Sequence, residues 1–165
     1  MTVFFSDIHA NLPALEAFFE ELDRLKPDAV YCLGDLVGYH VWPNEVIEQI
    51  RQRRIPVLMG NHDEAQLKPI EADDMSNKGI TSRMLSEDNR AYLHGLPKHI
   101  RLDFGQKSML LVHGSPRKIN EYLYQSHEES DLLELFEGNQ VDIILCGHTH
   151  LPYSRQSQTA SGLKT

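Results

Sequence analysis

Residues 2–35 read TVFFSDIHANLPALEAFFEELDRLKPDAVYCLGD, and their alternation decides the fold class. TVFFS (2–6) is a short apolar run rich in β-formers. In NLPALEAFFEELDRL (11–25), Leu15, Phe18, Phe19, Leu22 and Leu25 recur at the spacing of one helical face. Pro13 suits the first turn, where a missing N–H costs little. DAVYCL (28–33) is strand-like again. NEVIEQIRQR (44–53) returns to the helical pattern through Val46, Ile47 and Ile50, and IPVLM (55–59) to the strand pattern. This β-α-β-α-β order predicts a largely parallel sheet, and the nearly all-apolar strands agree, because such a sheet is covered on both faces.

The remaining chain is less regular. EADDMSN (71–77) reads as a loop, and ITSRMLSEDNRAYLHGL (80–96) as one helix stopping near Gly95 and Pro97. HIRLDF (99–104) and SMLLVHG (108–114), joined at Gly105 and Gln106, predict a hairpin. SDLLELFEG (130–138) predicts a short helix and VDIILCG (141–147) a last clear strand. SRQSQTASGLKT (154–165) is polar and reads as a flexible tail, which leaves residues 1–153 as a single domain.

Composition excludes several classes. The chain of 165 residues is 41% hydrophobic and 24% charged, as in ordinary globular proteins with a sizeable core. A formal net charge of −8 argues against stable nucleic-acid binding and against an anionic membrane surface. It leaves room for a phosphate-containing substrate, because bound metal ions reverse the local sign of an acidic site. No apolar run approaches a membrane span, and the N-terminus carries no signal-peptide pattern. Cys32 and Cys146 each end a strand-like run and read as buried, reduced thiols of a cytoplasmic protein.

The chemistry lies at the strand ends. Asp7 and His9 follow the first strand, Asp35 the second, and Asn61 and His62 the third; His113 ends a fourth, and His148 and His150 follow the last. Ligands of open α/β sheets bind in the crevice outside the carboxyl ends of the strands. Two carboxylates, an amide and five imidazoles gathered at one sheet edge are costly unless something binds them. Imidazole with carboxylate and amide oxygen suits Mn, Fe, Zn, Co or Ni better than Ca or Mg. Asp7, His9, Asp35, Asn61, His113, His148 and His150 exceed the needs of one ion, whereas two ions sharing one carboxylate would use them all. Ions about 3.5–4 Å apart form a clamp for in-line attack at phosphorus. In MGNHDEAQ (59–66), His62 is then left unligated as a general acid, with Asp63 orienting its ring.

Five motifs, SDIHAN, LGDLVG, GNHD, VHGSP and CGHTHLP, occur in this order and together resemble the calcineurin-like metallophosphoesterase superfamily, in its small prokaryotic single-domain branch. The resemblance covers residues 2–153 and implies an αββα sandwich of two mixed β-sheets flanked by helices. It implies one metal on Asp7, His9, Asp35 and His150, and a second on Asp35, Asn61, His113 and His148, with Asp35 and a hydroxide bridging. His62 matches the acid-catalyst position and Asp63 its orienting partner. Asn61, His40 and Arg117 are the substrate-binding candidates, with His40 and Trp42 narrowing the mouth of the site. The implied activity is hydrolysis of a phosphodiester or phosphomonoester by attack of the dinuclear-metal-bound hydroxide, manganese being the first choice of metal. A small phosphate-ester or nucleotide-like substrate is expected. Members of the family usually continue past GHTHLPY with further strands. The chain therefore reads as C-terminally truncated, with an incomplete second sheet whose exposed edge invites a homodimer. The alternative reading is a truncated, inactive metal-binding module serving in binding or scaffolding.

Overall fold

A computed structural model describes residues 1–71, 73–159 and 162–165. Strand β1 (Thr2–Phe5) pairs in parallel with β2 (Ala29–Cys32), Val3 opposite Val30. Helix α1 (Leu12–Leu25) makes the crossover. Asn11 caps it by accepting the N–H of Ala14, and Leu15, Phe19 and Leu22 are buried. Helix α2 (Pro43–Gln52) buries Val46, Ile47 and Ile50. The third strand expected over 55–59 is reduced to one parallel bridge, Val57 beside Cys32. Beyond that bridge, the N–H of Met59 donates instead to the carbonyl of Pro97.

Asn61–Ala65 form a short helix, α3. The single helix expected over 80–96 is two, α4 (Asn77–Met84) and α5 (Glu87–His94). Ser86 causes the break: its hydroxyl accepts the N–H of Asn89 and caps α5, a role that competes with a place in a helix interior. Strands β3 (His99–Phe104) and β4 (Lys107–Val112) form the hairpin, and β5 (Ile143–Leu145) pairs with β4 in parallel. Helix α6 (Glu129–Asn139) precedes β5.

Strand periodicity sorts the core into layers. Phe5, Val30 and Cys32 face α1 and α2, whereas Phe4, Tyr31 and Leu33 face the other sheet. Met109 and Leu111 of β4 meet them, and Leu110 and Val112 turn away to pack on Phe136 of α6. Side chains that alternate along each strand thus produce helix, sheet, sheet, helix.

Residues 154–165 differ from the tail expected there. Ser157–Thr159 and Gly162–Lys164 pair as β6 and β7, and Thr165 exchanges backbone hydrogen bonds with Asp142 and Ile144 at the edge of β5. Lys164 anchors the segment by donating to Asp142 at 2.9 Å. Residue 72 of the expected loop and residues 160–161 of the expected tail lie outside the described residues. No helix among the described residues is long and apolar enough to cross a membrane.

Candidate metal centre

Three of the strand ends supply their residues through an unusual backbone. Asp7, His9, Asp35, His148 and His150 all have positive φ, between 51° and 66°. Such a conformation costs about 1–2 kcal/mol for a residue with a Cβ, so five strained residues at one edge point to a function that outweighs stability. Close backbone packing fixes the turns. A Cβ on Gly60 would collide with the Asp35 carboxylate, and one on Gly147 would sit 2.7 Å from Asp7 Oδ2.

The side chains converge. Asp7, His9 and His150 form one group with ligand atoms within 4.8 Å of one another, and Asp35, His113 and His148 form a second. Asp35 lies between the two, its Oδ2 3.2 Å from His113 Nε2 and 3.6 Å from His9 Nε2. Asn61 joins the second group, its Oδ1 3.0 Å from His113 Nε2. His150 stands at the rim, its Nε2 3.2 Å from that of His9 and 3.3 Å from Asp7 Oδ1.

The ring orientations decide what this cluster needs. His9 Nδ1 lies 3.1 Å from the carbonyl of Val37, and His113 Nδ1 2.8 Å from that of Leu33. A carbonyl only accepts, so each Nδ1 carries a proton and each Nε2 aims a lone pair inward. Inward-facing nitrogens and carboxylate oxygens are then acceptors facing acceptors, an arrangement that a bound cation relieves, as does a proton held between His113 and Asp35. Asp7 Oδ1 and His148 Nε2 are buried without a hydrogen-bond partner, which is the state expected of metal-ligand atoms. The residues present therefore fit divalent metal ions. Burial holds His9 and His148 below the usual histidine value, favouring the neutral, ligating ring. Burial also opposes charge on His113, but the Asp35 carboxylate beside it raises its pKa. Burial works in the same sense against ionisation of Asp35, yet His113 holds its carboxyl below the usual range.

His62 sits at the edge of the cluster. Its ring lies 4.9 Å from that of His9 and 4.6 Å from that of Tyr39, and its backbone N–H donates to Asp35 Oδ1 at 2.8 Å. Among the described residues its ring makes no hydrogen bond, and one of its nitrogens lies within 4.8 Å of ligand atoms of His9 and Asp35, a third group able to hold a cation.

Two expectations change. Asp63 does not orient the His62 ring. Its carboxylate is fully buried and accepts four backbone N–H groups, those of Asp35 and Gly60 on Oδ2 and those of Leu36 and Val37 on Oδ1. It thus clamps the Gly34–Val37 loop to the start of α3. Burial, and then the Asp35 charge, push its carboxyl up to about 7, against the pull of the N–H donors. Arg117 is not free for phosphate, because its guanidinium is shared between Glu121 and Asp131. His40 is exposed, and its backbone N–H donates to His9 and Gly38 carbonyls. The sequence reading also missed Tyr122, whose ring stacks on that of His148 at 4.1 Å. Its only signal was the alternation Tyr122, Leu123, Tyr124 after the VHGSP motif.

The profile of the calcineurin-like phosphoesterase family matches residues 2–152. An uncharacterised protein of Methanocaldococcus jannaschii is 32% identical over 160 residues, covering 93% of this chain and 63% of that protein. A crystal structure described as a metallophosphoesterase from Sphaerobacter thermophilus is 34% identical with a TM-score of 0.74, covering 92% of this chain and 60% of that one. A hypothetical protein of Pyrococcus horikoshii shares the fold with a TM-score of 0.83 at 23% identity, covering 99% and 75%. The chain therefore spans under two thirds of the length of the first two relatives. With five ordered motifs, a four-layer fold and a matched span of 2–152, the chain belongs to the calcineurin-like phosphoesterase family.

Proposed function

We propose that this chain is a dinuclear metal-dependent phosphoesterase that hydrolyses phosphodiester or phosphomonoester bonds of small substrates. The observation that carries this reading is the inward aim of the His9 and His113 lone pairs at the carboxylates of Asp7 and Asp35. Asp7, His9, Asp35 and His150 would hold one ion, and Asp35, Asn61, His113 and His148 the other. Manganese is the first choice; iron, zinc, nickel and cobalt suit the same donors. When bound, such a pair supplies Lewis-acid charge opposite the phosphoryl oxygens and lowers the pKa of water.

The remaining roles belong to side chains. Asp35 keeps the two ligand groups in register, and its own position is fixed through Asp63. His62 carries the proton that the leaving oxygen needs as its bond to phosphorus breaks, with a ring nitrogen as donor. Tyr39 and His9 flank that ring and limit where it can swing. Asn61 brings an amide oxygen inward and leaves its NH2 group to donate to a phosphoryl oxygen.

The test is hydrolysis of bis-p-nitrophenyl phosphate and p-nitrophenyl phosphate by the Mn²⁺-loaded protein. Turnover should vanish with a chelator and fall about 10²–10⁴-fold in His62→Ala, while that variant keeps its metal. A protein that takes up two equivalents of Mn²⁺ yet cleaves neither ester would overturn the reading.

A further inference from the structure

The His62 ring rests on backbone. A Cβ on Gly38 would lie 2.7 Å from His62 Nδ1 and 3.1 Å from its Cγ, so the ring fills the space where any other residue would place a side chain. Gly38 has φ 95° and Tyr39, which does carry a Cβ, has φ 63°, a left-handed turn that bulky residues rarely adopt. The Tyr39 ring folds back over His62, 4.6 Å away centre to centre, and over His9, 4.7 Å away. The turn at 38–39 is thus the floor and one side of the space that the His62 ring occupies.

What holds this turn comes from outside the five motifs. The Tyr39 N–H donates to Asn77 Oδ1 at 3.0 Å. The same oxygen would lie 3.3 Å from a Cβ on Gly38, so Asn77 and His62 close on Gly38 together. Asn77 opens α4, and α4 is itself anchored. Ser76 caps it by accepting the Gly79 N–H at 3.3 Å. Beyond its far end, Asn44 of α2 donates through Nδ2 to the Met84 carbonyl at 2.7 Å and accepts the Ser86 N–H at 2.9 Å. Arg90 donates to the Ser82 carbonyl at 2.7 Å and to the Gln66 carbonyl at 3.0 Å, the latter directly after α3, the helix that carries His62. Helix α4 is therefore fixed to both segments that meet at the His62 ring.

We propose that Asn77 is a positioning residue for the proton donor: it holds the Tyr39 N–H, and the Gly38–Tyr39 turn so held keeps the His62 ring beside the ligand cluster. This rests on the phosphoesterase reading and deepens it. As the bond from phosphorus to the leaving oxygen breaks, that oxygen takes a proton from a His62 ring nitrogen, a step whose rate depends steeply on where the nitrogen stands. Asn77 acts only through this ring. The hydrogen bond from Tyr39 to Asn77 is at the surface, so water replaces the Asn77 oxygen when it is removed and the fold persists.

The experiment measures kcat and KM on the two p-nitrophenyl esters for the Mn²⁺-loaded wild type, Asn77→Ala, Asn77→Asp, His62→Ala and the double variant of Asn77→Ala with His62→Ala. Asn77→Ala should lower kcat roughly tenfold to a hundredfold, the scale of a reacting group displaced by up to about 1 Å, with KM near that of the wild type. Asn77→Asp keeps an oxygen acceptor on a side chain of the same length and should keep most of the turnover. In the His62→Ala background the same Asn77→Ala change should lower kcat less than about twofold, because two residues that act through one group are not additive. NMR of the Zn²⁺-loaded protein, which is diamagnetic, should show Overhauser contacts between the His62 and Tyr39 rings that Asn77→Ala weakens and Asn77→Asp retains. Unchanged kcat in Asn77→Ala, an equal loss with and without His62, or ring contacts indifferent to Asn77 overturns the positioning role and leaves the phosphoesterase standing. Ring contacts that depend on Asn77, with neither ester hydrolysed, uphold the positioning of the ring and overturn the phosphoesterase.

Discussion

Asp63→Ala removes in one step the acceptor for four buried N–H groups. Those of Asp35 and Gly60 lie 2.8 and 2.9 Å from Oδ2, and those of Leu36 and Val37 lie 3.0 and 3.3 Å from Oδ1. A buried N–H left without a partner costs about 1–3 kcal/mol, so four set a range of about 4–12 kcal/mol. Water entering the space vacated by the carboxylate recovers part of this, which favours the low end, about 4–6 kcal/mol. A small domain holds only about 5–15 kcal/mol in total. We therefore expect Asp63→Ala to be largely unfolded or barely folded. Asp63→Asn keeps one acceptor oxygen but turns an NH2 group towards the other pair of donors, and should lose about 2–3 kcal/mol. Urea unfolding followed by far-UV circular dichroism measures both. A side chain that merely oriented the His62 ring would, on truncation, change turnover and leave the urea midpoint in place. A loss below about 1 kcal/mol in Asp63→Ala, the size of an average substitution, would refute the clamp.

Further outcomes follow from other contacts. Gly60→Ala drives a methyl into the Asp35 carboxylate and should weaken Mn²⁺ binding at least tenfold by calorimetry; unchanged affinity would contradict the packing described at that turn. Arg117→Ala should cost no more than about 1 kcal/mol, since its pairs with Glu121 and Asp131 are half-exposed, and should leave KM for phosphate esters alone. A tenfold rise in KM would return Arg117 to the substrate. The Ser108 N–H, with Lys164 and Lys107, holds the Asp142 carboxyl well below its ordinary value of 3.8. A depressed folded value means that this contribution is complete above the unfolded value and lost as pH falls through the folded one. Asp142→Asn should therefore flatten the acid limb of the stability curve, and an acid limb identical to wild type would count against the anchor of residues 157–165.

Much of the site was legible because its signal is local. Each ligand candidate directly follows an apolar run, so identifying the strand also identified the position of Asp7, Asp35, Asn61, His113 or His148. The four layers came with the family resemblance; the β-α-β-α-β order by itself predicted only a largely parallel sheet, and the opposite facing of Phe4 and Phe5 towards the second sheet and the helices is a finding of the structure. What escaped depends on contacts between segments distant in sequence. The sequence pairs Asp63 with its neighbour His62, but the chain folds the Gly34–Val37 loop, some 27 residues earlier, onto that carboxylate. Arg117 looked available after HGSP until α6 brought Asp131 within reach. The stretch from Ser157 onwards lacks apolar pattern, and Lys164 and Thr165 are tied back to a residue distant in sequence, Asp142, through its carboxylate and its carbonyl.

The central claim is that Asp35 is shared between two cations held by side chains from Asp7 to His150. Counting bound Mn²⁺ by equilibrium dialysis in the wild type, His150→Ala and Asp35→Ala tests it most directly. Two equivalents are expected in the wild type, one tightly held equivalent in His150→Ala, and neither retained in Asp35→Ala. Two equivalents still bound after Asp35 is removed, or no more than one in the wild type, would contradict it.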